Sequence, residues 1–209
     1  MKEFFRFDSP FMTALSQAGS ALILSFLWVL CSLPLLTLGA STTAYFRMMF
    51  NLREEKPCGI KDFFRAFCKN VKDGTLVWLL LILILETAFL IRFAATLFVL
   101  QEYLRYFLFG LFIALLLVWL FMVQYAFAIT AYYKSTPFQT LRNSFLLSME
   151  DPLGSFLGAG LLILPLLCYL IFPNSVLNGL LLWVTVYPAA VGYLLSGRIY
   201  NKFLKMREQ

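Results

Sequence analysis

The sequence predicts an all-α membrane protein, a polytopic bundle of transmembrane helices. Of its 209 residues, 61% are hydrophobic and 13% are charged, whereas soluble domains are about 45–50% apolar and about 25% charged. Several apolar runs approach the roughly 20 residues that a helix needs to cross the hydrocarbon core of a bilayer. Residues 76–85 are uniformly apolar, which excludes the alternating pattern of a β-barrel strand.

Six spans are predicted from apolar length and from the charges that bound each run. They lie at about residues 16–33, 35–51, 75–100, 104–132, 153–172 and 176–197 of a single transmembrane domain, residues 1–209. They would form three helical hairpins, each opening to the cytoplasm. The second run contains a glycine and several hydroxyl side chains, so a bundle of five spans, with residues 35–51 in a loop, stays open as the alternative.

Basic residues predict the orientation, since Lys and Arg accumulate on the cytoplasmic side of membranes. Seven of them lie in the segment 47–73 and four in the tail 198–207. Both segments, and hence the C-terminus, are predicted to be cytoplasmic. With six spans the N-terminus is cytoplasmic too, whereas with five it is external. The net charge of +6 is explained by this asymmetry and by contact with anionic lipid, so no nucleic-acid partner is predicted.

A short repeat marks two points where a span is predicted to end. Residues 43–47 are Thr-Ala-Tyr-Phe-Arg, and residues 130–134 are Thr-Ala-Tyr-Tyr-Lys. Each is followed by a segment with apolar residues at helical spacing, at about residues 59–72 and 137–149. We predict that both segments are amphipathic helices at the cytoplasmic interface.

The second amphipathic segment has a helix start signal. Thr136 and Gln139 are typical of a capping box, and Pro137 occupies the first helical position. The apolar stripe of the first segment is Ile60, Phe63, Phe64, Phe67, Cys68 and Val71, and that of the second is Phe138, Leu141, Phe145 and Met149.

Glu86 is a carboxylate in a predicted span. It lies eleven residues after Thr75, near the middle of the membrane, where a charge costs about 2.5–3.5 kcal/mol on insertion scales. Its predicted partners are the polar side chains Ser41, Thr42, Thr43 and Gln124. Two interpretations follow: a protonated or hydrogen-bonded carboxyl that joins two helices, or a proton or cation site in a transport path.

Small residues in the last two spans indicate close helix packing. They are Gly154, Gly158, Gly160, Gly192 and Ser196. Spacings of this kind let helix backbones approach without any ligand.

Catalytic and cofactor motifs are missing from the sequence. There is no histidine, the commonest general base. The four cysteines form no C-x-x-C pair, so no metal site is predicted. No phosphate-binding loop of the G-x-x-x-x-G-K type is present. We therefore expect neither an enzyme nor a cofactor.

The start of the second predicted span, with the two residues before it, carries a recognisable motif. Its residues are Leu33, Pro34, Thr37, Gly39, Thr43 and Ala44, followed by a basic loop with an F-x-x-F-like segment. This pattern resembles the YesL-like family of bacterial membrane proteins, although members often have proline where this chain has Ala40. The resemblance implies the plasma membrane of a bacterium and association with binding-protein-dependent sugar transporters, but it identifies no catalytic or binding residue.

The function predicted from these observations is that of a non-enzymatic membrane protein, accessory to a carbohydrate transport system of the ABC type. The lipid bilayer and, by resemblance, permease subunits would be its partners. The alternative is a small transporter or channel for a solute, proton or cation that uses Glu86 in a polar seam. The sequence does not predict an oligomeric state.

Overall fold

The computed structural model describes residues 10–97, 101–174, 179 and 182–207, and it is helical throughout these ranges apart from short connections. Seven α-helices lie in them: α1 (Pro10–Ser32), α2 (Leu38–Arg53), α3 (Ile60–Leu97), α4 (Glu102–Tyr132), α5 (Pro137–Glu150), α6 (Pro152–Ile171) and α7 (Tyr187–Arg207). A 3₁₀ turn (Leu35–Thr37) precedes α2, and a π-helical turn (Leu182–Val186) precedes α7. The end of the predicted span 75–100 and most of the start of the span 176–197 lie outside the described residues.

Four helices of the described chain are long and apolar enough to cross a membrane. The qualifying stretches are Leu15–Ser32, Ile60–Thr96, Glu102–Tyr132 and Pro152–Ile171. The all-α, multi-pass prediction is confirmed at this level. The prediction of six spans is wrong, and the five-span alternative also exceeds the number found.

The predicted second span fails because of the length and position of α2. Its 16 residues cover about 24 Å at 1.5 Å per residue, which is short for the hydrocarbon core. Gly39 lies against the backbone of Gly74, and the indole N–H of Trp78 donates to the carbonyl of Leu35 at 2.9 Å. The start of α2 therefore lies beside the middle of α3.

From that point α2 runs antiparallel to the first half of α3. Its last turns pack Met48, Met49 and Leu52 with Phe63 and Ala66 of α3. This half of α3 carries most of its charged side chains, while the predominantly apolar half, which contains Glu86 and Arg92, continues beyond the start of α2. Eleven of the residues of α2 are buried, so it is an interior helix of the bundle.

The predicted interfacial helix 59–72 is not a separate element. It is the first part of α3, which continues without a break into the apolar half. Phe63 of the predicted stripe is fully buried, whereas Ile60, Phe64 and Val71 are exposed. The stripe is thus divided between the contact with α2 and the outer surface of the helix.

Helix α5 has the predicted start. The Thr136 hydroxyl accepts from the N–H of Gln139, and the Gln139 side chain accepts from the N–H of Thr136, so the capping box is confirmed. The buried face is lined by small hydroxyl residues together with Leu141 and Leu147; these are Thr140, Ser144 and Ser148. The predicted apolar residues Phe138, Phe145 and Met149 are exposed, on the face away from the core.

Helix α7 crosses the interior of the bundle but is not among the candidate spans, since its second half is polar. It buries Val191, Leu195, Ile199 and Phe203, one residue per turn. The ring of Phe203 lies 6.1 Å from that of Phe50 and 5.0 Å from that of Tyr132, centre to centre. The C-terminal ends of α2, α4 and α7 therefore meet at one end of the bundle. We call it the basic end, because Arg53, Arg198 and Lys202 lie there.

Candidate functional site

Glu86 lies on the outer surface of the apolar half of α3. Its side chain is exposed, and its neighbours on that surface, Leu83 and Leu90, are each 63% exposed. Within the part of the chain that the structure describes, no hydrogen bond or ion pair joins Glu86 to another side chain. The carboxylate therefore faces the surroundings of the bundle and not its interior.

The three hydroxyl residues predicted as partners of Glu86 form other hydrogen bonds: Ser41 and Thr42 join α1 to α2, and Thr43 bonds within α2. The Ser41 hydroxyl lies 2.7 Å from that of Ser32, and the Thr42 hydroxyl accepts from the indole N–H of Trp28 at 3.0 Å. Thr43 is fully buried and donates to the carbonyl of Gly39 within its own helix at 2.8 Å.

Gln124 makes a different link, between α4 and α6. Its amide group donates to the carbonyl of Ser155 at 3.0 Å and to that of Leu120 at 3.1 Å. Its oxygen lies over Gly158, where an added Cβ would be 1.9 Å away. The structure therefore does not bring the five predicted residues together into one seam.

The predicted packing residues mostly make room for side chains of other helices. An added Cβ at Gly154 would overlap the guanidinium of Arg198, and one at Gly192 would lie 2.3 Å from the hydroxyl of Tyr45. Ser196 accepts from Arg53 at 3.4 Å. Gly160 differs from these, because it is exposed and an added Cβ there would meet nothing within 4 Å beyond its neighbours and its own helix backbone.

Tyr45 ties three helices together in the interior. Its hydroxyl donates to the carbonyl of Pro188 at 2.7 Å and lies 3.1 Å from the Ser25 hydroxyl. Among the described residues, every buried polar side-chain atom has a hydrogen-bond partner. This satisfied interior is what a packed bundle needs, since a buried polar group without a partner costs about 1–3 kcal/mol.

An ionic cluster joins α6 to α7 at the basic end. The carboxylate of Asp151 accepts from Arg198 and lies 3.8 Å from the ammonium of Lys202. It also caps α6 by accepting from the N–H of Gly154 at 3.1 Å. Partial burial acts to raise the pKa of Asp151, but the hydrogen bonds from Arg198 and Gly154, with the nearby positive charges, lower it below its ordinary value.

Arg53 makes a second link to α7. Its guanidinium donates to the carbonyl of Tyr193 and lies 4.1 Å from the centre of the Tyr193 ring. Gly197 leaves the space that this side chain fills. The guanidinium of Arg53 therefore joins the end of α2 to α7, because it donates to the carbonyl of Tyr193 and to the hydroxyl of Ser196.

A basic cavity of about 490 Å³ opens at the same end, between α2, α3 and the end of α4. Its cationic lining residues are Arg47, Lys56, Arg65, Lys69 and Lys134, and Asp62 is the anionic one. Thr130, Tyr132 and Tyr133 complete part of the wall. Within the described chain, no group of three or more His, Cys, Asp or Glu side chains could hold a metal ion.

The motif residues form the turn that leads into α2. The Thr37 hydroxyl donates to the carbonyls of Cys31 at 2.7 Å and Pro34 at 2.8 Å, closing the turn. Gly39 follows at the contact with Gly74, and Ala44 is fully buried in α2. Leu33 is exposed.

Both sides of this contact fall inside the segment that matches a known family. Residues 21–91, about a third of the chain, match a family described as "Protein of unknown function, DUF624". The matched segment is similar to DUF624 over residues 21–91. It contains α1 from Ala21 onward, all of α2 and most of α3, so it includes the turn, its motif and Gly74. The resemblance to the YesL-like family is a narrower statement and stays a prediction.

No curated protein and no solved structure matches the chain significantly.

Sequence reasoning did not select several residues that organise the site. Gly74 and Trp78 hold the turn, and Arg53, Asp151 and Arg198 tie α7 to its neighbours. Gly74 had a detectable signal, since it stands between the charged and the apolar halves of one helix. The links of Arg53 and Arg198 span 140 and 44 residues of sequence, which no local pattern indicates.

Proposed function

We propose that this protein is a non-enzymatic, multi-pass membrane protein that acts as an accessory component of a bacterial carbohydrate transport system of the ABC type. It would act by contact with permease subunits in the plane of the membrane. The link to sugar transport comes from the resemblance to the YesL-like family.

The position of Glu86 is the observation that supports a contact role. A carboxylate among exposed apolar side chains costs about 2.5–3.5 kcal/mol near the membrane centre, unless another group donates to it. No such donor is found in the described chain, so a helix of another subunit is a suitable source. The same position weakens the alternative of a transport path, because Glu86 does not meet Ser41, Thr42, Thr43 or Gln124.

The basic end supports a cytoplasmic C-terminus. Phe50, in the segment 47–73, packs against Phe203, in the tail, with ring centres 6.1 Å apart. The two basic segments therefore lie at the same end of the bundle, as the positive-inside rule requires of cytoplasmic segments.

Affinity purification of the tagged chain from native membranes tests this proposal. We expect permease subunits of a sugar importer in the eluate, and reduced uptake of that sugar in a deletion strain. Glu86→Gln should lower the recovery of the permease, whereas Glu102→Gln, which removes an exposed carboxylate at the start of α4, should not. Unchanged uptake together with no retained permease would contradict the accessory role, and flux of sugars, protons or cations in proteoliposomes would favour the transporter.

A further inference from the structure

We propose that the basic cavity binds a phosphate group, carried either by an anionic lipid headgroup or by a small soluble phosphate. This inference does not depend on the accessory role.

The lining charges are strongly unbalanced, with five cationic side chains and one carboxylate. The carboxylate of Asp62 is engaged by Arg65 at 3.4 Å and by the N–H of Gly59 at 3.2 Å. Lys56 is paired with Glu54 at 2.5 Å. The remaining cationic side chains, Arg47, Lys69 and Lys134, form no salt bridge among the described residues, so they are available to an external anion.

Lys69 and Lys134 are exposed, and no ion pair or hydrogen bond reaches either of them in the described ranges. Arg47 makes one long hydrogen bond, to the carbonyl of Ala131 at 3.4 Å, which leaves most of its five N–H donors free. One arginine fork and two lysine ammonium groups facing a single cavity are the donor set that recognises phosphate oxygens.

The convergence of these residues is a product of the fold. Arg47 and Lys134 are the last residues of the two repeated segments, 43–47 and 130–134, and Lys69 comes from a third helix. A positive charge at the C-terminus of a helix is common, since it offsets the dipole of that helix. The dipole of one helix does not explain why cations from three parts of the chain line the same basic cavity.

The size and position of the cavity agree with a phosphate ligand. A volume of about 490 Å³ is within the range of small-molecule sites, about 300–1,000 Å³, so it holds a phosphate with part of the group that carries it. The cavity lies at the basic end of the bundle. Basic pockets between transmembrane helices on the cytoplasmic side are suited to lipid headgroups, and a soluble ligand can enter from the same side.

The test uses the full-length chain purified in detergent, with two probes. Native mass spectrometry measures retention of phosphatidylglycerol against phosphatidylcholine, and equilibrium dialysis measures binding of radiolabelled inorganic phosphate. The double variant Lys69→Gln/Lys134→Gln removes the two unpaired ammonium groups. Lys61→Gln/Lys72→Gln is the matched control, because it removes the same charge from exposed positions of α3 that do not line the cavity.

We expect the Lys69→Gln/Lys134→Gln variant to bind the responding probe roughly tenfold or more weakly. The control variant should bind it within about twofold of the unchanged protein, since exposed charges that do not line the cavity are screened by solvent and salt. Asp62→Asn should strengthen binding, because it removes the carboxylate that competes with a phosphate for the cations of the cavity. This variant still tests the site if Lys69→Gln/Lys134→Gln fails to fold. Binding of phosphatidylglycerol alone assigns the site to a lipid headgroup. Binding of inorganic phosphate with the same response to the variants assigns it to a soluble phosphate. If neither probe binds, or if both double variants lose binding equally, the proposed site is wrong.

Discussion

A methyl group added at Gly39 should damage the contact between α2 and α3. The new Cβ of Gly39→Ala would lie 2.2 Å from the carbonyl oxygen of Gly74 and 2.6 Å from the Cβ of Trp78. Neither atom is the end of a flexible side chain, so the helices must move apart by about 1 Å or more to reach ordinary contact distances of 3.4–4 Å. A gap of that size forfeits up to about half of the dispersion attraction between the atoms that line it.

The expected magnitude combines three effects. Overpacking costs about 1–3 kcal/mol, and separation of the helices weakens the hydrogen bond from Trp78 to Leu35, worth about 1 kcal/mol. Better helix propensity returns about 1 kcal/mol. The free energy of unfolding should therefore fall by about 1–3 kcal/mol. At about 2–4 °C per kcal/mol for a chain of this size, the Tm should fall by roughly 2–12 °C.

Thermal unfolding of the detergent-solubilised protein, followed by circular dichroism, measures this change. Gly110→Ala is the matched control, since an added Cβ at Gly110 would meet no atom of another part of the chain within 4 Å. Its Tm should stay unchanged or rise slightly. Equal Tm values for the two variants would refute the close contact between Gly39 and Gly74.

Three further substitutions should change the free energy of unfolding by amounts that the local structure predicts. Asp151→Ala removes the cap of α6 and leaves Arg198 without its carboxylate, so it should cost about 1–3 kcal/mol, whereas Asp62→Ala, at a more exposed ion pair, should cost less in the same unfolding assay. The pKa of Asp151 is lowered on folding, so the stabilisation that this carboxylate gives is complete above its ordinary pKa of 3.8. That stabilisation is lost as the pH falls through the lower pKa of the folded state. If Asp151→Ala and the unchanged protein lose the same amount of stability on acidification, the carboxylate of Asp151 has no such role. Glu55 has a φ of 53°, so Glu55→Gly should raise the free energy of unfolding by about 1 kcal/mol, and a fall would show that its side chain is needed. Glu86→Gln should leave it unchanged or raise it, since an unpaired carboxylate near mid-membrane is unfavourable, and a large loss of stability would indicate a partner within the chain.

The apolar helices were predictable because hydropathy and length report directly on the medium that a helix can cross. The long apolar runs of α3, α4 and α6 are examples. The start of α5 was predictable for a different reason, since its capping box is a local signal. The position of α2 was not predictable in this way. Its composition is compatible with a short polar span, a loop or a helix enclosed by others, and the choice depends on contacts with Gly74 and Trp78 that lie far along the chain.

The predicted seam failed for a related reason. A carboxylate and a group of hydroxyls in neighbouring apolar runs suggest a common site, but hydroxyls can be satisfied within their own helix, as Thr43 is by Gly39. The glycines show the same limit. Their spacing predicted that helix backbones approach, whereas the groups next to Gly154, Gly158 and Gly192 are the polar side chains of Arg198, Gln124 and Tyr45, which spacing does not identify.

Cross-linking between the turn and α3 tests the central claim, that α2 lies beside the first half of α3. In a background without the four native cysteines, Leu35→Cys should react with Trp78→Cys through a short bifunctional thiol reagent, since these residues are in contact. A spanning second helix would instead bring Leu35 near Arg92, at the outer end of α3. Efficient cross-linking of the 35/78 pair without the 35/92 pair is the expected result, and the reverse would contradict the fold described.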